Sequence, residues 1–290
     1  MRIVCFHICA WLAATLLLLA PHSSFAEPRW MTLPPTPSLP PAKQSGRAPV
    51  NGVLIWYSVF GAGEPVILLH GGLANSNYWG DQARFLSKSF KVIVMDSRGH
   101  GRSTRDSQAF GYRLMADDVV GLMDFLHVPK AAVVGWSDGA IIGLDIAMRH
   151  PARISRLFAF AANFDPGGVA DIASSPVFTA FIERAGKEYE RLSPTPKAFP
   201  EFRAAIETMW DTQPRYTAEQ LGRIAIPVWI VDGDHDEAIK RPHTEELARL
   251  VPGAGLLIQP QVSHFSFIQD PRQFNEDVLR FLQLELPAVP

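Results

Sequence analysis

Apolar and polar positions along the chain fall into short runs whose period switches back and forth. Val53-Leu54-Ile55-Trp56-Tyr57-Ser58-Val59-Phe60 is rich in β-branched and aromatic residues and closes on Gly61-Ala62-Gly63, which predicts a strand. Val66 to Leu69 is apolar on both faces, as a strand inside a parallel sheet must be, and ends at His70-Gly71-Gly72. Asn77 to Ser87 is patterned as a helix and Lys91 to Met95 as a buried strand, while apolar residues at 114, 115, 119, 122, 123 and 126 recur at helical spacing. After Pro129, Ala131 to Val134 predicts a further buried strand, followed at once by a helical pattern from Gly139 to Met148. The rhythm returns late in the chain, with strands at Pro227 to Val231 and Gly255 to Ile258 and helices at Thr244 to Leu250 and Pro271 to Leu284. Strands alternating with helices predict an α/β fold with a mostly parallel, doubly wound sheet, and ligands met at the carboxyl ends of the strands.

Three stretches depart from this rhythm. From about 163 to 223 there are six prolines, short helix-like patches and no convincing strand, which predicts a small helical cap inserted over the strand ends. Residues 27–49 hold seven prolines in 23 positions, a composition expected of an extended linker ahead of a domain at 50–290. Residues 1–26 combine Arg2, a run of 13 residues from Ile8 to Ala20 broken only by Thr15, and small residues at Ser24 and Ala26. That is the form of a cleavable export signal, shorter than the roughly 20 apolar residues of a membrane span. The expectation is a secreted or periplasmic protein cut after Ala26 and free of the membrane thereafter, with an uncleaved amino-terminal anchor as the alternative.

Removing that segment sharpens the composition. The remaining 264 residues carry 26 Lys and Arg against 29 Asp and Glu, a balance of −3 that argues against nucleic acid as the partner. Both cysteines, Cys5 and Cys9, lie inside the segment, so the mature chain has no disulfide, no thiol nucleophile and no Cys-ligated metal.

The chemistry centres on Gly135-Trp136-Ser137-Asp138-Gly139, a G-x-S-x-G sequence that follows a buried strand and opens a helix. In that setting a serine sits on a strained turn with its hydroxyl above the sheet, and glycines are needed because strand and helix approach closely. Without the strand and helix, the same letters would describe a serine capping an ordinary loop. A serine hydroxyl needs a base, and that base an acid, later in the chain. Of the histidines after Ser137, His150 lies at the far end of the helix, His235 within an acidic turn and His243 at a helix start. His264 stands in a loop after the last strand, on the same sheet edge as Ser137, and is the candidate base. Asp232, Asp234, Asp236 and Glu237 follow the strand ending at Val231, and Asp236 is far enough out to reach back toward a histidine; Asp165 is the rival acid. Asp234 and Glu237 read as a solvated turn. The same stretch does not fit a calcium loop, because Glu237 stands where glycine is needed and His243 where the bidentate Glu belongs. No metal or cofactor is called for. An oxyanion would need two backbone donors, one the amide of Asp138 and the other from the His70-Gly71-Gly72-Leu73 loop.

His70-Gly71-Gly72, Asp96 to Ser103, Gly135 to Gly139, Gly233 to Asp236 and Ser263-His264 stand in an order and spacing that resemble the α/β-hydrolase superfamily over residues from about 50 to 285. The resemblance implies Ser137 as nucleophile, Asp236 as acid, His264 as base and Gly72 and Asp138 as oxyanion donors, with Asp96 to Ser103 architectural. It further implies hydrolysis of a small carboxylic ester through an acyl-enzyme, with lactone, carbon-carbon bond, aminoacyl-ester or peptide hydrolysis, or a non-catalytic small-ligand receptor, as alternatives. The elbow is similar to that of biphenyl-hydrolase-like relatives, some of which cleave aminoacyl esters, so the Asp138 side chain either receives a substrate ammonium group or caps its helix. The aromatic residues of the cap, Phe164, Phe178, Phe181, Phe199, Phe202 and Trp210, are expected mostly to form its own small core.

Overall fold

A computed structural model describes residues 27–285, so the segment read as an export signal lies outside it. Eight strands form one sheet: β1 Gln44–Val50, β2 Val53–Gly61, β3 Pro65–Leu69, β4 Lys91–Met95, β5 Ala131–Trp136, β6 Ile154–Phe160, β7 Val228–Gly233 and β8 Gly255–Gln259. Their order is β1-β2-β4-β3-β5-β6-β7-β8, with the β1–β2 and β2–β4 pairings antiparallel and the other five parallel. The central strands β3 to β6 have unbroken apolar runs because helices cover both faces. Those helices are α1 Gly80–Leu86, α2 Tyr112–Phe125, α3 Asp138–Arg149, α7 Arg241–Leu250 and α9 Pro271–Leu282, and a single turn, α8 Ser266–Gln269, precedes the last. Helix α3 is buried from Asp138 through Ala147 against β3, β5 and β6, which explains why its sequence is apolar nearly all round.

The cap expected over 163–223 is helical: α4 Pro176–Leu192, α5 Phe199–Thr212 and the turn α6 Ala218–Leu221. Helix α4 starts on the Ser175 hydroxyl, which accepts the Phe178 amide at 3.1 Å, with Pro176 at its first position. A buried hydrogen bond from Asn75 to Glu188 of α4, 2.8 Å long, ties the cap to the sheet domain.

The linker expectation needs correcting. Gln44–Val50 pairs along its whole length with β2, and Ala48 and Val50 are buried, so regular structure begins before Gly52. Pro49 hides this in the sequence, yet proline is tolerated on an edge strand. Residues 29–43 also lie against the domain: Lys43 bonds Val59, and Arg84 reaches the Ser38 carbonyl at 3.2 Å. No helix among the described residues is long and apolar enough to cross a membrane.

Candidate active site

The elbow follows from local sterics. Strand β5 ends at Trp136, Ser137 adopts φ 53° and ψ −119°, and α3 begins at Asp138. A side-chain-bearing residue in that region is strained by roughly 1–3 kcal/mol and persists only when its surroundings hold it. They do: the Ser137 amide donates to the Phe160 carbonyl at 2.9 Å, and its carbonyl accepts from Ala140 and Ile141. A Cβ on Gly135 would lie 2.4 Å from the Gly139 carbonyl oxygen, and one on Gly139 would lie 2.1 Å from that of Leu69. Both glycines are therefore dictated by the close approach of β3, β5 and α3.

His264 lies in the loop after β8, and its Nδ1 is 2.8 Å from Asp236 Oδ2, in the loop after β7. Both side chains are 2% exposed. The other Asp236 oxygen accepts the amides of Ala238 and Ile239, each at 2.7 Å. With Nδ1–H donated to the carboxylate, Nε2 keeps its lone pair and can accept a proton. Burial holds the His264 pKa below its usual 6.5, opposed in part by Glu237, Asp232 and Asp138, so the ring is a neutral base at pH 7. Burial also raises the Asp236 carboxyl.

The acidic turn divides its work. Asp232, buried beneath, accepts from the Thr244 hydroxyl at 2.6 Å and the Gly233 amide. Asp234 pairs with His235 at 2.7 Å and accepts the Val262 amide. Glu237 corrects the solvated-turn reading, because its carboxylate accepts the backbone amide of His264 at 3.0 Å and the Ser263 hydroxyl at 3.3 Å. Nothing in the spacing of the turn reveals this contact, since its partner is 27 residues away. Among the described residues no cluster of acidic residues, histidines and cysteines suits a metal ion.

The other candidates are placed elsewhere. Asp165 caps a short turn by accepting the Gly167 amide. His150 pairs with Asp117, and His243 stacks on Phe164 at 4.0 Å while its Nε2 accepts the Phe164 amide. Asp96 accepts the Ser76 amide and hydroxyl and bonds Arg102, and His70 Nε2 accepts the Ser97 amide at 3.0 Å, so these residues fix loops.

Ser137 and His264 open on one cavity of about 50 Å³, walled by Phe178, Trp210, Val169, Ile172, Ile239, Asn163 and Gln213. Gly72 lies against two of the lining residues: a Cβ there would lie 2.5 Å from Asp138 Oδ2 and from Trp210 Cζ2. The Asp138 amide, first in α3, has no partner within the helix. The Asp138 side chain neither caps its helix nor stands open. It accepts from the Tyr112 hydroxyl at 2.9 Å and from Trp210 Nε1 at 2.9 and 3.1 Å, and burial lifts its pKa to about 6. Of the cap aromatics, Phe178 and Trp210 line the cavity; Phe181 packs on Trp136 and Phe265, and Phe202 on His100 and Tyr189.

A mostly parallel sheet with a serine elbow after its central strand and a helical cap over the strand ends is the layout of an α/β hydrolase, and this chain belongs to that superfamily. The family model described as alpha/beta hydrolase fold matches residues 64–199. The chain is 30% identical over 254 residues, 77% of its length and 94% of the relative's, to RutD of Agrobacterium fabrum, whose name provisionally makes it a carbamate hydrolase. It is 28% identical over 261 residues, 82% of its length and 86% of the relative's, to the Homo sapiens serine hydrolase BPHL. Among solved structures it resembles Est816, described as an N-acyl homoserine lactone degrading enzyme, with a TM-score of 0.65, 26% identity and coverage of 81% of this chain and 100% of that one. The chain is a hydrolase.

Proposed function

We propose that the protein is an exported serine hydrolase that cleaves small carboxylic esters. The observation that carries this reading is the strained Ser137 opening on the same cavity as a buried, carboxylate-bonded His264. Ser137 Oγ attacks the ester carbonyl carbon as its proton passes to His264 Nε2, and the imidazolium, paired with Asp236, protonates the departing alcohol. Water, deprotonated by the same nitrogen, then releases the acid and restores the serine. The amides of Gly72 and Asp138 are the donors for the oxyanion, in an apolar cavity where such bonds count for more than in water.

The cavity bears on substrate size. At about 50 Å³ it is well below the roughly 300–1,000 Å³ of drug-sized ligand pockets, which favours a short acyl group. The aminoacyl-ester alternative loses support, because both oxygens of Asp138 are already engaged by Tyr112 and Trp210. Lactones stand as the second reading, on the likeness to Est816.

Labelling with a fluorophosphonate, followed by a panel of p-nitrophenyl esters of rising acyl length beside simple lactones, tests both readings. The expected result is an adduct on Ser137 and fastest turnover at short acyl chains; no adduct on the folded protein overturns the proposal. Export and cleavage after Ala26 are tested by the mass of the mature chain, expected to begin at Glu27.

A further inference from the structure

The arm ahead of β1 touches the loops that carry Asp236 and His264. The Trp30 ring stacks on the imidazole of His235, next to Asp236, with centroids 3.9 Å apart and planes 17° from parallel. His235 Nδ1 meets Asp234 Oδ1 at 2.7 Å, and that oxygen accepts the amide of Val262, two residues before His264. The Thr32 carbonyl accepts from Gln269 Nε2 at 2.9 Å. That nitrogen also donates to the Ser263 hydroxyl at 3.0 Å, and Gln269 Oε1 accepts the Ser263 amide at 2.8 Å. The arm then crosses to the cap, where the Arg184 guanidinium of α4 donates to the carbonyls of Leu33 and Pro34. A Cβ on Gly80 would lie 2.5 Å from the Ser38 carbonyl oxygen, so a glycine at the start of α1 makes room for the docked arm.

Taking the hydrolase reading as its basis, we propose that Trp30, with the Thr32 carbonyl, is a positioning element for the Asp236–His264 pair. Both loops project beyond the sheet, and each is gripped one residue away from its functional side chain. A stacked imidazole that is also hydrogen-bonded has one orientation, which fixes the peptide leading into Asp236; Gln269, held by Thr32, does the same for the peptide leading into His264. Reaction rates are steep in such placement, with misplacement by about 1 Å costing up to about 100-fold.

The test compares wild type, Trp30→Ala and Trp30→Phe in the full chain. Hydrolysis of p-nitrophenyl acetate, thermal unfolding and amide hydrogen exchange of peptides spanning 234–239 and 261–266 are measured. Trp30→Ala is expected to lower kcat about tenfold, leave KM within about twofold and speed exchange in both peptides about tenfold, with its melting temperature close to wild type. Trp30→Phe, which can still stack, restores kcat and protection. Unchanged exchange in Trp30→Ala overturns the proposal, as does a loss of kcat that phenylalanine fails to rescue. If wild type hydrolyses no ester, the hydrolase reading fails by itself, and the exchange comparison still decides whether the arm holds the loops.

Discussion

The indole N–H of Trp210 donates to both carboxylate oxygens of Asp138, at 2.9 and 3.1 Å. Trp210 lies near the end of cap helix α5 and Asp138 opens α3 beside the elbow serine, so this contact fastens the cap to the turn that carries the hydroxyl. Trp210→Phe keeps most of the ring and removes the donor, leaving a buried carboxylate with the Tyr112 hydroxyl alone. The expected cost is about 1–3 kcal/mol, read as a melting temperature lower by about 2–10 °C, with KM raised because the cavity wall loosens. A melting temperature and KM equal to wild type would show that the cap is held by its apolar packing instead.

The same carboxylate makes stability depend on pH. Asp138 titrates at about 6 in the folded protein against 3.8 as the ordinary value, because burial disfavours its charge. Between those values the folded chain binds more protons than the unfolded one. Its contribution is therefore full below pH 3.8 and lost as pH rises through about 6, a change of about 3 kcal/mol. Asp138→Asn cannot ionise and lacks this loss. Its melting temperature relative to wild type should rise between pH 4.5 and 7.5, and a constant difference across that range would contradict the shifted titration.

Asp236→Asn addresses the acid. An asparagine can turn its NH₂ toward His264 Nδ1, which then becomes the acceptor and moves the ring proton to Nε2, where it blocks uptake from Ser137. We expect kcat to fall by about 10⁴ with KM and thermal stability little altered. A fall of less than tenfold in burst-free steady-state assays would mean that the carboxylate is not the orienting group.

Much of this was legible in the sequence. The buried strands announce themselves because a two-sided apolar run such as Val66 to Leu69 has no other use, and the structure bounds that strand as Pro65–Leu69. Ser137 and His264 were legible because each follows a strand at the same sheet edge, whereas several acids do so and only the family resemblance singled out Asp236; the structure places Ser137 and His264 on one cavity and Asp236 in a hydrogen bond with His264. What escaped are contacts between residues distant in sequence. Composition made residues 27–49 look like an extended linker, because proline suppresses the strand signal and backbone carbonyls, which do the docking at Thr32, Leu33 and Pro34, carry no residue-type signature. Asp138 invited a capping or ligand role from its neighbours in the chain, while its partners come from α2 and α5.

Glu237 separates a bond from a charge. Its carboxylate accepts the His264 amide at 3.0 Å, and its negative charge partly offsets the burial that lowers the His264 pKa. Glu237→Gln keeps an acceptor for the amide and removes the charge; Glu237→Ala removes both. In the proposed mechanism a neutral His264 is the base, so activity falls as pH drops through its pKa, and the acid limb of kcat/KM should lie below pH 6.5 in wild type and move to still lower pH in both variants. Only the alanine variant frees the His264 backbone, and its kcat at pH 8, where the ring is neutral in every variant, should be lower by about tenfold. A limb that stays at the wild-type pH in both would mean solvent screens the Glu237 charge from the ring. Equal kcat values at pH 8 would mean that the Asp236 bond alone suffices to place it.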